Sequence, residues 1–460
     1  MSAFLLLAFC GLTSLSATDT APAPASAWHA LEQQFHELPM AARRLTGPLF
    51  WLHGDDKETP ERLRLFLDKV VEGGNGSFCA ESRPHSDWLG PRWWADLDVC
   101  LQHAKQNDMK MWIFDDAWWP SQTMGGKVPE QYMAKRLTAT EKAVTGPVKL
   151  DETVDTADHF VALLAGRDTG EGIDGASLVD LLPTVQEGKI VWDVPEGNWR
   201  VMRFGWELAP VSRQNGQPTL DGASKDCVDW FMNTVYQPHQ DHFRDDFGKT
   251  IAGFFYDEPE TQGDWGTELN ATFAGRGVDW KKALVAWKFT LSGGEQTAAK
   301  YAYYDAFFET WGRTLYGAMT KWCESWGGQS IGHFMEHEFL YLDHGLGAGN
   351  QFQLQKYSSM GGMDLVVGQL HPGQKRLDMY QMPKLVSSIS HVYGKKDDIT
   401  MCEIFGAYGQ RLSYPEMKWL ADQHQVRGVN FMITHSFNPR APEDTDYPPY
   451  FYNMDKEPRW

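Results

Sequence analysis

The fold is decided by the stretch Ile399-Thr400-Met401-Cys402-Glu403-Ile404, then Ser413-Tyr414-Pro415-Glu416, then Gly428-Val429-Asn430-Phe431-Met432-Ile433-Thr434-His435. The first part is a short apolar run. The second is a capping box with a proline in the first turn of the helix it opens. That helix is expected to end near Gly428 and to lead into another short apolar run. A helix between two short, nearly unbroken apolar runs is the mark of parallel strands buried on both faces.

Working outward, the same unit recurs along the chain. Leu63, Phe66, Leu67, Val70 and Val71 follow helical spacing behind Thr59-Pro60, and Gly73-Gly74 stops them. Further helices are expected over 93–107, 226–247, 300–326 and 376–393. Apolar runs fall at about 48–53, 75–80, 109–114, 251–256, 330–335, 364–369, 399–404 and 429–434. Eight such units predict an α/β fold closed as a (β/α)8 TIM-type barrel. A doubly wound open sheet is the alternative, but no glycine-rich phosphate fingerprint follows the first strand.

Two segments break the rhythm. Residues 138–212 are rich in Thr, Val, Asp and Gly, and 190–194 and 199–204 flank the turn signal Pro195-Glu196-Gly197-Asn198 like the arms of a hairpin. This predicts a β-rich insertion between the third and fourth barrel units. Residues 261–297 read as a long loop at the barrel mouth, closing at Ser292-Gly293-Gly294. The expected division is a signal peptide and leader over 1–27, barrel over 28–137, insertion over 138–212, and the rest of the catalytic barrel over 213–460.

Composition narrows the function. Of 460 residues, 42% are hydrophobic and 22% charged, which is globular usage. A net charge of −19 argues against nucleic acid or an anionic membrane as partner, because an acidic surface is repelled by both. Twenty tryptophans suit either a large core or sugar binding, since an indole face covers the apolar face of a pyranose and its N–H is a directed donor. Residues 3–17 are apolar and small, and Ala25-Ser26-Ala27 offers a cleavage site, which predicts a signal peptide and a secreted or periplasmic protein. The run is too short for a membrane span. Cys79, Cys100, Cys227, Cys323 and Cys402 show no metal spacing and read as buried apolar fillers, with at most one or two disulfides.

Sites in such barrels form at the C-terminal ends of the strands. The residues that follow the runs are His53 and Asp55; Glu81; Asp115 and Asp116 with Trp118-Trp119; Asp257, Glu258 and Glu260; Glu336, His337 and Glu338; Gln369 and His371; Glu403; and His435. Loops are polar in any protein, so one such residue says little, and any one glutamate could be a salt-bridge partner instead. The convergence of carboxylates and histidines on one face says more. Glycoside hydrolysis needs one carboxylic acid to protonate the leaving oxygen and one carboxylate to activate water or attack carbon. The fourth and seventh strands face each other across a barrel, so Glu403 pairs with Glu258 or Glu260. His53, Asp115, Asp116, Trp119, Asp257, Glu336, His371 and His435 are the candidate substrate-binding residues.

Several blocks resemble glycoside hydrolase family 106, the α-L-rhamnosidase family. They are 48–54, Trp93-Trp94, Ile113-Phe114-Asp115-Asp116 with Trp119-Pro120-Ser121 and Gly125-Gly126, 254–260 with Asp264-Trp265, and Glu403 through Gly428-Val429-Asn430 to His435. Together they span roughly 47–440, and 364–371 is not clearly matched. The resemblance implies a (β/α)8 catalytic domain, an inverting mechanism with two glutamates, and calcium that helps hold the sugar; it points to this family or to a short, barrel-only relative. Matching by position favours Glu260, whereas Glu258 sits nearer the strand, and both stay open. The expected substrate is an oligo- or polysaccharide. A different barrel carbohydrate enzyme, such as a lyase or a glycosidase for another deoxy sugar or uronide, and a non-catalytic sugar-binding protein are the competing readings. Unsaturated product absorbing in the ultraviolet would identify a lyase, and tight binding without turnover would identify a binding protein.

Overall fold

The computed structural model of the chain describes residues 25–335, 344–345, 347–409 and 411–438. Eight parallel strands form one sheet: β1 (Thr46–Leu52), β2 (Ser77–Ser82), β3 (Lys110–Phe114), β4 (Ile251–Tyr256), β5 (Gln329–Gly332), β6 (Gly361–Leu365), β7 (Thr400–Ile404) and β8 (Phe431–Phe437). Their order is β5-β4-β3-β2-β1-β8-β7-β6, so each strand lies beside its chain neighbour all the way round. Between β5 and β6 the sheet is nearly closed, with Ser359 N donating to Ser330 O at 2.9 Å. This is a TIM-type barrel.

Alternation within the strands explains the unbroken apolar runs. Leu49, Trp51, Cys79, Trp112, Phe114, Phe255, Ile331, Met401 and Ile433 cluster together inside the barrel. Phe50, Leu52, Phe78, Met111, Ile113 and Phe254 point the other way and pack with the surrounding helices. The helix starts follow the expected chemistry. Thr59 accepts from Arg62 N ahead of helix Pro60–Glu72. Ser413 and Glu416 form a reciprocal capping box at helix Tyr414–Gln425.

Between β3 and β4 the chain makes a five-stranded antiparallel sheet. Strand Lys189–Leu208 pairs with Lys135–Thr153 on one side and Phe160–Arg167 on the other. The expected hairpin around 195–198 is instead a kink within this one strand. Gly197 takes a φ of +110° there, opposite the irregularity at Gly146 in the partner strand. The outer face has a small core of its own, including Leu150, Leu163, Trp199 and Val201. The inner face, with Leu164, Met202 and Phe204, joins the main core.

Two further expectations are corrected. Residues 261–297 are not one long loop: they hold helices Leu269–Gly275 and Trp280–Lys288, the second capped by Asp279. The several glycines of that stretch conceal these short helices in the sequence. The sixth strand is Gly361–Leu365 rather than 364–369. Gly361-Gly362 carry no apolar side chain to extend the run, yet these glycines lie inside the strand because β6 approaches β5 so closely. A Cβ on Gly362 would sit 2.0 Å from Gly332 O. The five cysteines from Cys79 on are all buried and form no disulfide among the described residues. Residues 1–24, most of the leader expected over 1–27, lie outside the described part, while residues 25–27 begin the helix Ala25–His36. No described helix is long and apolar enough to cross a membrane.

Candidate active site

The strand ends converge as barrel geometry requires. Asp257 and Glu258 follow β4, His333 follows β5, Asp364 and Glu403 lie in β6 and β7, and His435 lies in β8. β6 and β7 run in register with Asp364 beside Glu403. These side chains, with Arg83 and Trp119, line one cavity of about 190 Å³, except His333, which stands behind it. His333 Nε2 is 2.9 Å from Glu403 Oε2 and 3.6 Å from Asp257 Oδ1. Arg83 Nη1 donates to Glu81 Oε1 at 2.7 Å and lies 3.6 Å from Asp257 Oδ2. Its guanidinium also lies over the Trp51 ring, 4.8 Å from the centroid.

Five carboxylates thus crowd around one arginine and one histidine, nearly without solvent. Burial, then the charge of Glu81, pushes Glu403 well above the usual carboxylate range. Burial and the charge of Glu403 do the same to Asp257, and raise Asp364 to about 8. Burial and the nearby Arg83 push His435 well below an ordinary histidine. At neutral pH the cluster therefore holds protons on some of its acids, and His435 is neutral. Acids of which some keep and some lose their protons can give and take a proton at one site.

Glu258 is fixed by an unusual backbone and a specific donor. Its φ is +40°, and Val367, Phe405 and Ala407 at the same mouth also have positive φ. Residues in this sparsely populated region cluster where function demands an aimed side chain. The Trp119 indole N–H donates to Glu258 Oε2 at 2.9 Å. Trp119 is itself positioned by the loop after β3. Asp116 anchors that loop, accepting from the backbone N–H groups of Ala117, Thr123, Met124 and Gly125. Ser121 Oγ donates to Asp115 Oδ1 and accepts from Asp257 N, which ties this loop to the end of β4.

Of the residues expected at the site, Glu403, Glu258, Asp257, Trp119 and His435 come together on the cavity. Asp115 and Asp116 lie behind it with their oxygens engaged as described. Glu260 also turns away: it accepts from Ser212 Oγ, from the N–H groups of Arg213 and Gln214, and from Gln262. His53 packs edge-on to Trp51, 3.4 Å from Asn438 Oδ1. His371 lies edge-on to Tyr408, outside the cavity. Glu336, with His337 and Glu338, lies outside the described residues. Sequence reasoning missed His333, Asp364 and Arg83 as site residues. The first two were hidden inside the apolar runs assigned to strands five and six. Arg83 could have been found as the cation two residues beyond the strand-end Glu81.

Comparison with known proteins agrees with this architecture. The sequence matches the family described as alpha-L-rhamnosidase, glycoside hydrolase family 106, over residues 154–452. No curated protein matches it. Among solved structures, a rhamnosidase from Novosphingobium sp. PP1Y superposes with a TM-score of 0.73 at 15% identity, over 92% of this chain and 58% of that one. The chain thus spans little more than half the length of that enzyme, and the likeness is one of fold. A pyruvate kinase from Cryptosporidium parvum also aligns, at a TM-score of 0.31 and 11% identity over 88% of this chain and 67% of that one, too loosely to carry an argument. On the extent of the family match, the chain belongs to glycoside hydrolase family 106, the alpha-L-rhamnosidase family.

Proposed function

We propose that the protein cleaves an α-L-rhamnoside-like glycosidic bond in an oligo- or polysaccharide, with Glu258 and Glu403 as its acid and base pair. The observation that carries this is their meeting, from β4 and β7, on one cavity beside Trp119 and His435. Hydrolysis through an oxocarbenium-like transition state needs one carboxyl group to protonate the departing oxygen and another to activate water. Glu260 is set aside, because its carboxylate is spent on the 212–214 turn. Asp257, Asp364 and His435 are left to hold sugar hydroxyls, and His333 to hold Glu403 in place. Inversion at the anomeric carbon is proposed from the family.

Calcium is proposed from the family, and its oxygen ligands would come from the same acids, of which the proton donor must stay unligated. Asp257 and Glu403, and likewise Glu258 and Asp364, bring buried carboxylate oxygens within 4.8 Å of one another around His333. Hard cations prefer such oxygens, and positive charge would relieve the crowding that raises Glu403 and Asp257. When bound, calcium would supply an electrostatic anchor for sugar hydroxyls. We also propose export, on the apolar run 3–17 and the Ala25-Ser26-Ala27 site.

The test is hydrolysis of an alkyl α-L-rhamnoside, whose departing oxygen needs a proton. Glu403→Gln and Glu258→Gln are each expected to lower kcat by about 100-fold or more while circular dichroism stays native. Full activity in either variant would remove that residue from the pair. A variant that recovers on substrates with a better leaving group has lost the proton donor. Proton NMR of the first-formed sugar anomer reads inversion or retention directly.

A further inference from the structure

A second cavity of about 660 Å³ adjoins the acid-lined one, and Trp119 lines both. Its walls come from three segments on the same face of the barrel: the loop after β2, the loop after β3, and residues 214–217 ahead of β4. We propose that this cavity binds the saccharide unit on the leaving-group side of the bond, a proposal that rests on the glycosidase reading above.

Three observations carry it. First, the position is right. Trp119 donates its N–H to Glu258, and Gln214 Nε2 donates to the Glu258 backbone carbonyl at 3.1 Å. A substrate held across Trp119 would have its linking oxygen beside that glutamate. Second, the lining suits a sugar. Trp88, Trp118 and Trp119 supply indole surface, and Gln214 and Gln217 supply amides. Indole faces interleaved with polar side chains suit a pyranose, which has apolar faces and a polar rim, and the volume falls in the roughly 300–1,000 Å³ that small-ligand pockets span. Third, hydroxyl and charged side chains, Ser86, Asp87 and Lys127, also line the cavity, and such groups can donate to or accept from sugar hydroxyls.

The walls are also held in place before any ligand arrives. Asn215 Nδ2 donates to Trp119 O at 3.3 Å, and Ser82 Oγ donates to Ala117 O at 2.6 Å. Glu260, one of the two candidates the sequence offered after β4, secures the turn that carries Gln214.

The full chain is compared on α-L-rhamnosyl fluoride, whose departing fluoride does not fill the second cavity, and on rutinose, a rhamnosyl-glucose disaccharide whose glucose would occupy it. Trp88→Ala and Gln214→Ala are expected to lower the ratio of kcat/KM on rutinose to that on the fluoride at least tenfold. Trp88→Phe, which keeps the packing and shortens the indole wall, serves if the alanine variant fails to fold. Equal losses on both substrates would overturn the proposal. If the native protein turns over neither, the glycosidase reading fails, and calorimetric binding decides the cavity separately. Tighter binding of rutinose than of rhamnose, weakened by the Trp88 variants, supports the cavity. Equal binding of the two sugars, or none, overturns it.

Discussion

His333 Nε2 stands between Glu403 and Asp257, closer to the first, and contributes no surface to the cavity itself. In the proposed mechanism it holds the carboxylate of Glu403 in place. His333→Ala is expected to lower kcat by about 100-fold, as small misplacements of a reacting group do, and to move the pH–rate profile. A loss of activity with an unmoved profile would reduce its role to packing. Asp115 tests electrostatics away from the chemistry. Its carboxyl is raised by burial from 3.8 to about 8. Between those values the folded protein keeps a proton that the unfolded chain has released. Its contribution to stability is therefore greatest below about pH 4 and falls as pH rises toward 8. Asp115→Asn should flatten that fall in urea titrations run across the window. An unchanged slope would show that other groups set it.

At the scale of elements, the glycines of β5 and β6 decide whether the sheet can close. Gly332 has a φ of +156°, and a Cβ there would lie 2.1 Å from Tyr256 O; a Cβ on Gly362 would lie 2.0 Å from Gly332 O. Neither oxygen can retreat without breaking a strand ladder. Gly362→Ala is expected to destabilise the protein by about 3 kcal/mol or more, measured by denaturant unfolding, beyond the ordinary penalty of overpacking. The turn at 212–214 is a softer element. Glu260→Ala would remove the acceptor shared by Ser212 Oγ and the N–H groups of Arg213 and Gln214 and cost about 1–3 kcal/mol, with normal strand content by circular dichroism. These same elements mark where the sequence is legible. Runs of Leu, Val, Ile and Phe between capped helices reveal the strands, because burial on both faces leaves no other composition. Gly361-Gly362 misleads, because close approach demands a residue that carries no apolar side chain to mark a strand. Glu258 and Glu260 look alike in one dimension. Only the turn that folds back onto Glu260 separates them, and that contact spans 48 residues of chain between Ser212 and Glu260.

On the scale of the whole molecule, barrel and side sheet share a core. Leu137, Leu164, Met202 and Phe204 of the sheet belong to the same cluster as Leu63, Trp93 and Phe254 of the barrel layer. Far-ultraviolet circular dichroism and tryptophan fluorescence are therefore expected to report one coincident unfolding transition. Two separated transitions would mean that the sheet unfolds on its own. The acid cluster shows the limit of sequence reading at this scale. Glu403, Asp257 and His435 are recognisable from their place after apolar runs. His333 gains meaning only once eight strands have been bent into a ring.

The side sheet has a consequence for how such an enzyme could diversify. Strand Lys189–Leu208 delivers the chain to the 212–217 turn, yet its outer half touches neither the acids nor Trp119. If the cavity beside that turn takes the departing sugar as proposed, its walls come partly from the segment that follows the side sheet, whereas the acids stand on barrel strands. Choice of departing group and chemistry of departure would then be open to change on separate stretches of the chain.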